Sequence, residues 1–282
     1  IQQALVLAPG DGRALGLKAI VAIVQNQKDQ ALMHAETALA TAPLAPSVHV
    51  AQGLVRQAHF DLDGALQSLE RAADLAPDNA LVWAHLAELH LASGYLKKSA
   101  AAAEKAISLT PRLSRTQIVF GFSALVRVDL NGAKEAFTQA IRLDSADPMA
   151  RLGLALALIR AGDLEAGRAE LEIAAGLNPN SALIRSYLGK AFFDERQETD
   201  AEKQYTIAKS LDANDPTPFF YNAILKQTTN RPVEALQDVY TEPRRYPFTV
   251  AVAPLYVEWA DGGVNEEGES SVHPLTLATP IP

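Results

Sequence analysis

Apolar and polar positions alternate along most of the chain in a two-beat pattern. The runs "LVWAHLAELHLA" (81–92) and "LKKSAAAAEKAISL" (96–109) place apolar side chains three and four residues apart, which is the spacing of one helix face. Between them lies the short break "SGY". Both runs are rich in Ala, Leu, Glu and Lys, residues that cost little in a helix. The couplet recurs down the sequence, so the pattern predicts antiparallel helix pairs in succession.

The recurrence has a fixed period. Pro9, Pro43, Pro77, Pro111 and Pro179 are spaced by 34 residues or twice 34, and Ser145 and Ala213 stand at the two remaining places. Repeats that start at residues 12, 46, 80, 114, 148, 182 and 216 align three columns of small side chains. Position 8 reads Ala19, Gly53, Ala87, Gly121, Ala155, Gly189, Ala223; position 20 reads Ala31, Ala65, Ser99, Ala133, Gly167, Ala201, Ala235. Position 27 is alanine from Ala38 to Ala208 and fails at Glu242. Small residues here let two helices approach closely, while the larger residue at position 24 (Leu69, Phe137, Leu171, Tyr205) fills the adjoining gap. Position 30 (Leu75, Leu109, Leu143, Leu177, Leu211) is expected to be a buried knob. The proline two residues later cannot continue a helix and ends the repeat. One such pair buries too little apolar surface to stand alone, so the pairs must stack.

Trp83, Leu86, Ala87, Ser99, Ala106 and Pro111 resemble the signature of the tetratricopeptide repeat, over about residues 1–240. The resemblance departs in detail. Tryptophan occupies its position in a single repeat, and the first repeat (Lys18 at position 7) and the seventh fit least well. "DPTPFFYNAILKQTTNRPVEAL" is similar to large bacterial proteins of this family in the cell envelope. The resemblance implies an all-α fold, a right-handed α-solenoid over residues 1–242, and recognition of other proteins. Residues 1–11 would be a partial repeat, and 243–282 an irregular or short-strand tail.

The ends read differently from the middle. Ile1 falls at position 24 of an earlier repeat, with Ala4, Leu7 and Pro9 at positions 27, 30 and 32, so a fragment or processed chain is expected. Pro243 arrives where the last second helix should still run. Six of the sixteen prolines lie in the final forty residues, which hold no lysine. "YPFTVAVAPLYVEW" alternates like a strand, with Phe248, Val250 and Val252 on one side. The acidic run with Glu266, Glu267 and Glu269 reads as solvated. The tail could cover the last helix, lie along the array, or be unrelated to it.

Composition removes several functions. With 25 basic and 33 acidic side chains the net charge is −8, which suits no phosphate-backbone binder. Zero cysteines exclude disulfides, thiolate zinc sites and thiol catalysis. The most apolar stretches, "ALGLKAIVAIV" and "LGLALALI", are shorter than the roughly 18 residues of a membrane span. No nucleotide-binding glycine motif and no H-E-x-x-H is present. "GFSAL" lacks the second glycine of a nucleophile elbow, and Ser123 would sit mid-helix. His85 and His90 are five residues apart and point away from each other on a helix. Asp61 and Asp63 belong to a turn between helices, where capping explains them better than calcium does. No cofactor, metal or catalytic residue is expected, and the chain is not read as an enzyme.

What remains is surface. In the family that this chain resembles, first helices line the concave face through positions near 2, 5, 9 and 12. Those offsets select Ile20, Ile23, Val50, Leu54, Leu91, Ile118, Phe122, Leu125, Leu152, Leu156, Ile159 and Phe193, with Lys190, Arg160 and Asp194 as polar neighbours. So apolar a stripe fits a groove for a peptide or helix of a partner protein, packing between helices, or docking of the tail. The anchors expected are Ile118, Phe122, Leu156 and Phe193. Positions 5 and 6, such as Val50, Ile118, Leu152 and Phe220, lack the cations that grip a chaperone's acidic C-terminus. Two alternatives are a recruiting arm of a larger bacterial assembly or enzyme, and self-association through the ends. A soluble location in bacterial cytoplasm or periplasm is expected.

Overall fold

Each helix pair is fixed by the way its helices begin, turn and end. The computed structural model describes residues 1–240, together with Gly263–Val264 and Ser270–Ser271. Residues 1–111 belong to one compact unit and residues 112–240 to a second. The first contains α1 (Gln2–Leu7), α2 (Gly12–Val24), α3 (Lys28–Thr41), α4 (Pro46–Ala58), α5 (Leu62–Leu75), α6 (Ala80–Ala92) and α7 (Leu96–Leu109). The second contains α8 (Ser114–Val126), α9 (Leu130–Leu143), α10 (Pro148–Arg160), α11 (Leu164–Leu177), α12 (Ala182–Asp194), α13 (Glu198–Leu211), α14 (Pro216–Thr228) and α15 (Pro232–Tyr240). From α2 onward, even-numbered helices are the first helices of repeats and odd-numbered ones the second. The architecture is all-α, of the stacked-pair solenoid type. Two short strands, β1 (Gly263–Val264) and β2 (Ser270–Ser271), pair antiparallel. The strand expected around Phe248, Val250 and Val252 and the acidic run at Glu266, Glu267 and Glu269 lie outside the described residues.

First helices start where a short polar side chain can accept amide protons of the first turn. Asp11, Asn79, Asp147, Ser181 and Asp215 all do so. Asp61, Asp129 and Asp163 do the same for second helices. Each cap contributes about 1 kcal/mol. Asp61 accepts from the Gly64 amide at 2.9 Å, so its place in "FDLDGAL" is that of a cap.

The turn inside each repeat is closed by main-chain atoms. Position 15 has positive φ in all seven repeats: Asn26, Phe60, Gly94, Val128, Gly162, Arg196 and Asn230. The next amide then reaches back five residues, as from Asp61 to the Arg56 carbonyl (3.0 Å) and from Asp129 to that of Ala124 (2.9 Å). This closure satisfies carbonyls at the helix end. Glycine or asparagine takes the conformation readily; a β-branched valine does so against its own side chain.

The core follows the three small columns. Every alanine at position 27, from Ala38 to Ala208, has no solvent exposure. Ser99 fits the position 20 column because its hydroxyl donates to the Ala87 carbonyl, 2.9 Å away. The position 24 side chain lies over a position 8 glycine: Leu69 over Gly53, Phe137 over Gly121 and Tyr205 over Gly189. A Cβ at Gly121 would stand 2.8 Å from the Phe137 ring, which also crowds Gly153 on the next first helix. Trp83 donates its indole N–H to the Pro77 carbonyl at 2.9 Å, tying the helix to its incoming loop. His49 contacts the Pro43 carbonyl from the same repeat position, so a ring nitrogen can replace the indole.

One expectation is corrected. Leu143, Leu177 and Leu211 at position 30 are exposed, not buried knobs. Each is the last residue of its helix, where no further turn covers it.

Two substitutions test this packing by urea denaturation. Val128→Gly should raise stability by about 1 kcal/mol, because it relieves a left-handed valine. Gly153→Leu should lower it by about 2 kcal/mol through overpacking against Phe137.

Candidate functional site

The first helices contribute two kinds of surface at the positions singled out in the sequence. In the first unit Ile20, Ile23, Val50 and Leu54 are half-buried, and Leu91 is buried. In the second unit Ile118, Phe122, Leu125 and Leu152 are buried, while Leu156, Ile159 and Phe193 are half-buried. Five residues expected to line an open groove, Leu91, Ile118, Phe122, Leu125 and Leu152, therefore present almost no area to a ligand. For Phe122 the reason is its ring, packed edge-on against Phe137 with centroids 4.9 Å apart. Leu152 belongs to a core cluster with Leu171, Ala174 and Ile184.

The accessible part of the second unit lies on α10, α12 and α14. Leu156 and Ile159 rest on the core cluster around Leu171 and Ile184. Phe193 and Tyr221 rest on Ala201, Tyr205 and Leu225. Tyr221 stacks on Tyr205 at 6.3 Å and meets Phe220 at 5.6 Å, making an aromatic ledge. Burial pushes the Tyr205 hydroxyl's pKa up, reinforced by Tyr221 and Asp194, so the phenol stays neutral. Phe220 and Ile224 occupy positions 5 and 9 of the last repeat and are part-exposed. Ile118 and Phe122 hold the same two positions in the repeat that starts at residue 114.

Charge around the ledge is mostly neutralised internally. Lys190 donates to Asp194 at 2.8 Å, so the two residues expected to set polarity are committed to each other. Arg168 pairs with Glu195 at 2.9 Å and Glu172 at 2.6 Å, which raises its pKa further. Arg160 is half-buried, one turn from Leu156, and makes no ion pair with a described residue.

The residues weighed for chemistry lie elsewhere. Ser123 is buried within α8. His85 sits 3.8 Å from Glu88, and His90 packs edge-on to Tyr95. Among the described residues no group of three metal-ligating side chains converges, and no helix is long and apolar enough to cross a membrane.

Comparison with known proteins agrees with the geometry. Family models described as tetratricopeptide repeat match residues 50–113 and 129–191. The Protein CTR9 homolog of Arabidopsis thaliana is 23% identical over 214 residues, covering 67% of this chain and 20% of the relative. Anaphase-promoting complex subunit 3 of Schizosaccharomyces pombe is 25% identical over 189 residues, covering 67% and 28%. The chain thus spans less than a third of the length of either curated relative. The crystal structure of the APC/C hetero-tetramer Cut9–Hcn1 matches with a TM-score of 0.69 at 14% identity, over 83% of this chain and 44% of that one. This last likeness concerns the fold. No catalytic family is indicated.

The division between interior and accessible positions has a measurable consequence. Phe122→Ala should cost about 3–5 kcal/mol in urea denaturation, as for a buried ring. Phe193→Ala should cost clearly less, since part of its ring is already in water.

Proposed function

This chain belongs to the tetratricopeptide repeat family, and from that premise we propose that it is a non-catalytic scaffold whose first helices receive an apolar segment of a partner protein. Residues 1–242 form the recognition array in this reading, and 243–282 lie outside it. The observation that carries the reading is the half-buried patch of Leu156, Ile159 and Phe193, continued by Phe220 and Ile224. Part-exposed aromatic and large aliphatic side chains are the usual anchors of such interfaces. Ile20, Ile23 and Leu54 offer a second patch in the first unit. Leu91, Ile118, Phe122, Leu125 and Leu152 hold the helices in place rather than meet the partner. Arg160 stands one helical turn after Leu156 on the same face, so a segment with a carboxylate beside its apolar anchors fits best. Lys190, joined to Asp194, closes one edge without adding net charge.

The test is a displayed peptide library selected on the purified chain, followed by fluorescence anisotropy. Ile159→Ser combined with Phe193→Ser should weaken the selected peptides at least about tenfold without loss of helicity. A library with no binders, or binders indifferent to both changes, sinks the groove.

A second reading, membership of a larger assembly, is favoured by the outer face of α2. Leu17 and Val21, at positions 6 and 10, are 53% and 41% exposed, whereas their counterparts Ala51 and Val55 are fully buried. Val55 inserts among Ala19, Ala22, Ala31 and Ala35 of the repeat before it, so the matching face of α2 suits a further helix pair, of the same polypeptide or of another. One curated relative is a subunit of the anaphase-promoting complex. If a second copy supplies the covering helix, sedimentation should show concentration-dependent association that Val21→Glu abolishes. A strict monomer at high concentration removes that occupant.

A further inference from the structure

Helix α15 is attached unlike the other second helices. Its large apolar side chains Val233 and Leu236 are 69% and 54% exposed, while Ala235 and the carboxylate Asp238 are buried. Asp238 receives groups from two helices: Lys209 of α13, and Lys226 and Asn222 of α14, the last two at 2.8 and 2.7 Å. The Lys209 ammonium also stands 4.8 Å from the centre of the Phe219 ring. A second tie joins α15 to α13, because Arg231 donates to both Glu202 oxygens (2.9 and 3.0 Å) and to Glu234. At the places of Lys209 and Asp238 other repeats carry Leu39 and Ser68, Ala73 and Ala102, Ile141 and Glu170, or Ala175 and Gln204, so a lysine facing a carboxylate is found at this joint and at none of those.

We propose that α15 is an ionic latch: the Asp238 carboxylate, shared by Lys209, Lys226 and Asn222, holds this helix against α13 and α14, and the helix opens as a unit when that charge is lost. Burial disfavours the charged form of Lys209 and Lys226 disfavours it further, while the Asp238 carboxylate, with a smaller contribution from Glu202, favours it. Without Asp238 both ammonium groups lose their ion-pair partner at the joint, the costly half of a broken ion pair. The closed network is also incomplete, since the Asn222 Oδ1 accepts no hydrogen bond. Among the described side chains of α15, the large apolar ones, Val233 and Leu236, already face outward and do not oppose release. The latch is independent of whether a partner binds on α10 and α12.

Hydrogen–deuterium exchange on the full chain tests it. Asp238→Asn keeps the shape but removes the charge, and should speed exchange of α15 amides at least about tenfold while α10–α13 stay as protected as before. Lys209→Met leaves Asp238 with Lys226 and Asn222, and should loosen α15 less than Asp238→Asn does. Unchanged α15 exchange in Asp238→Asn overturns the latch. So does equal loss of protection across α10–α15, which makes Asp238 a general stability residue, or a larger effect from Lys209→Met.

Discussion

How closely two helices can lie sets the other distances in this protein. Alanine, glycine or serine at positions 8 and 20, with alanine at 27, removes side-chain bulk where the helices of a pair face each other. Close approach then leaves room for one large residue in four of the repeats, at Leu69, Phe137, Leu171 and Tyr205, and Phe137 shows the result. Its ring fills the space over Gly121 and reaches Gly153 on the following first helix, joining two repeats with one side chain. Interiors packed this tightly respond to the addition of a single methyl group.

The two surfaces of the first helices follow from that geometry. Where a position 24 ring lies beside the inner row, as Phe137 lies beside Phe122, the inner residue is absorbed into the core. Leu156 and Phe193 stay partly accessible although Leu171 and Tyr205 stand at position 24 of their repeats. Apolar character alone does not separate these cases. The packing around each residue does, and it divides a stripe uniform in sequence into buried and accessible residues.

The repeat frame was legible because it rests on local rules: small residues at fixed intervals, a proline that stops a helix, and polar caps such as Asp61 and Asn79. Helices begin at Gly12, Pro46, Ala80, Ser114, Pro148, Ala182 and Pro216, the first position of each repeat. Burial at single positions was less legible. Leu125 and Phe193 share position 12, yet the first is buried and the second part-exposed, a difference set by the residues around them. Position 30 misled because leucine suggests a core, while the end of a helix offers cover on one side only. The Asp238 cluster gave no signal, since its partners stand 12, 16 and 29 residues away and none belongs to a motif. The left-handed position 15 was hidden by its occupants: phenylalanine, valine and arginine do not announce such a turn.

That turn closes with amide and carbonyl atoms alone, whatever side chain it carries. The angle between the paired helices is therefore written in the backbone, and the outward residues are released from holding it. Leu156, Ile159 and Phe193 could be exchanged for a different set of contacts while the framework beneath keeps its shape. A chain built this way separates the part that must stay constant from the part that is free to vary.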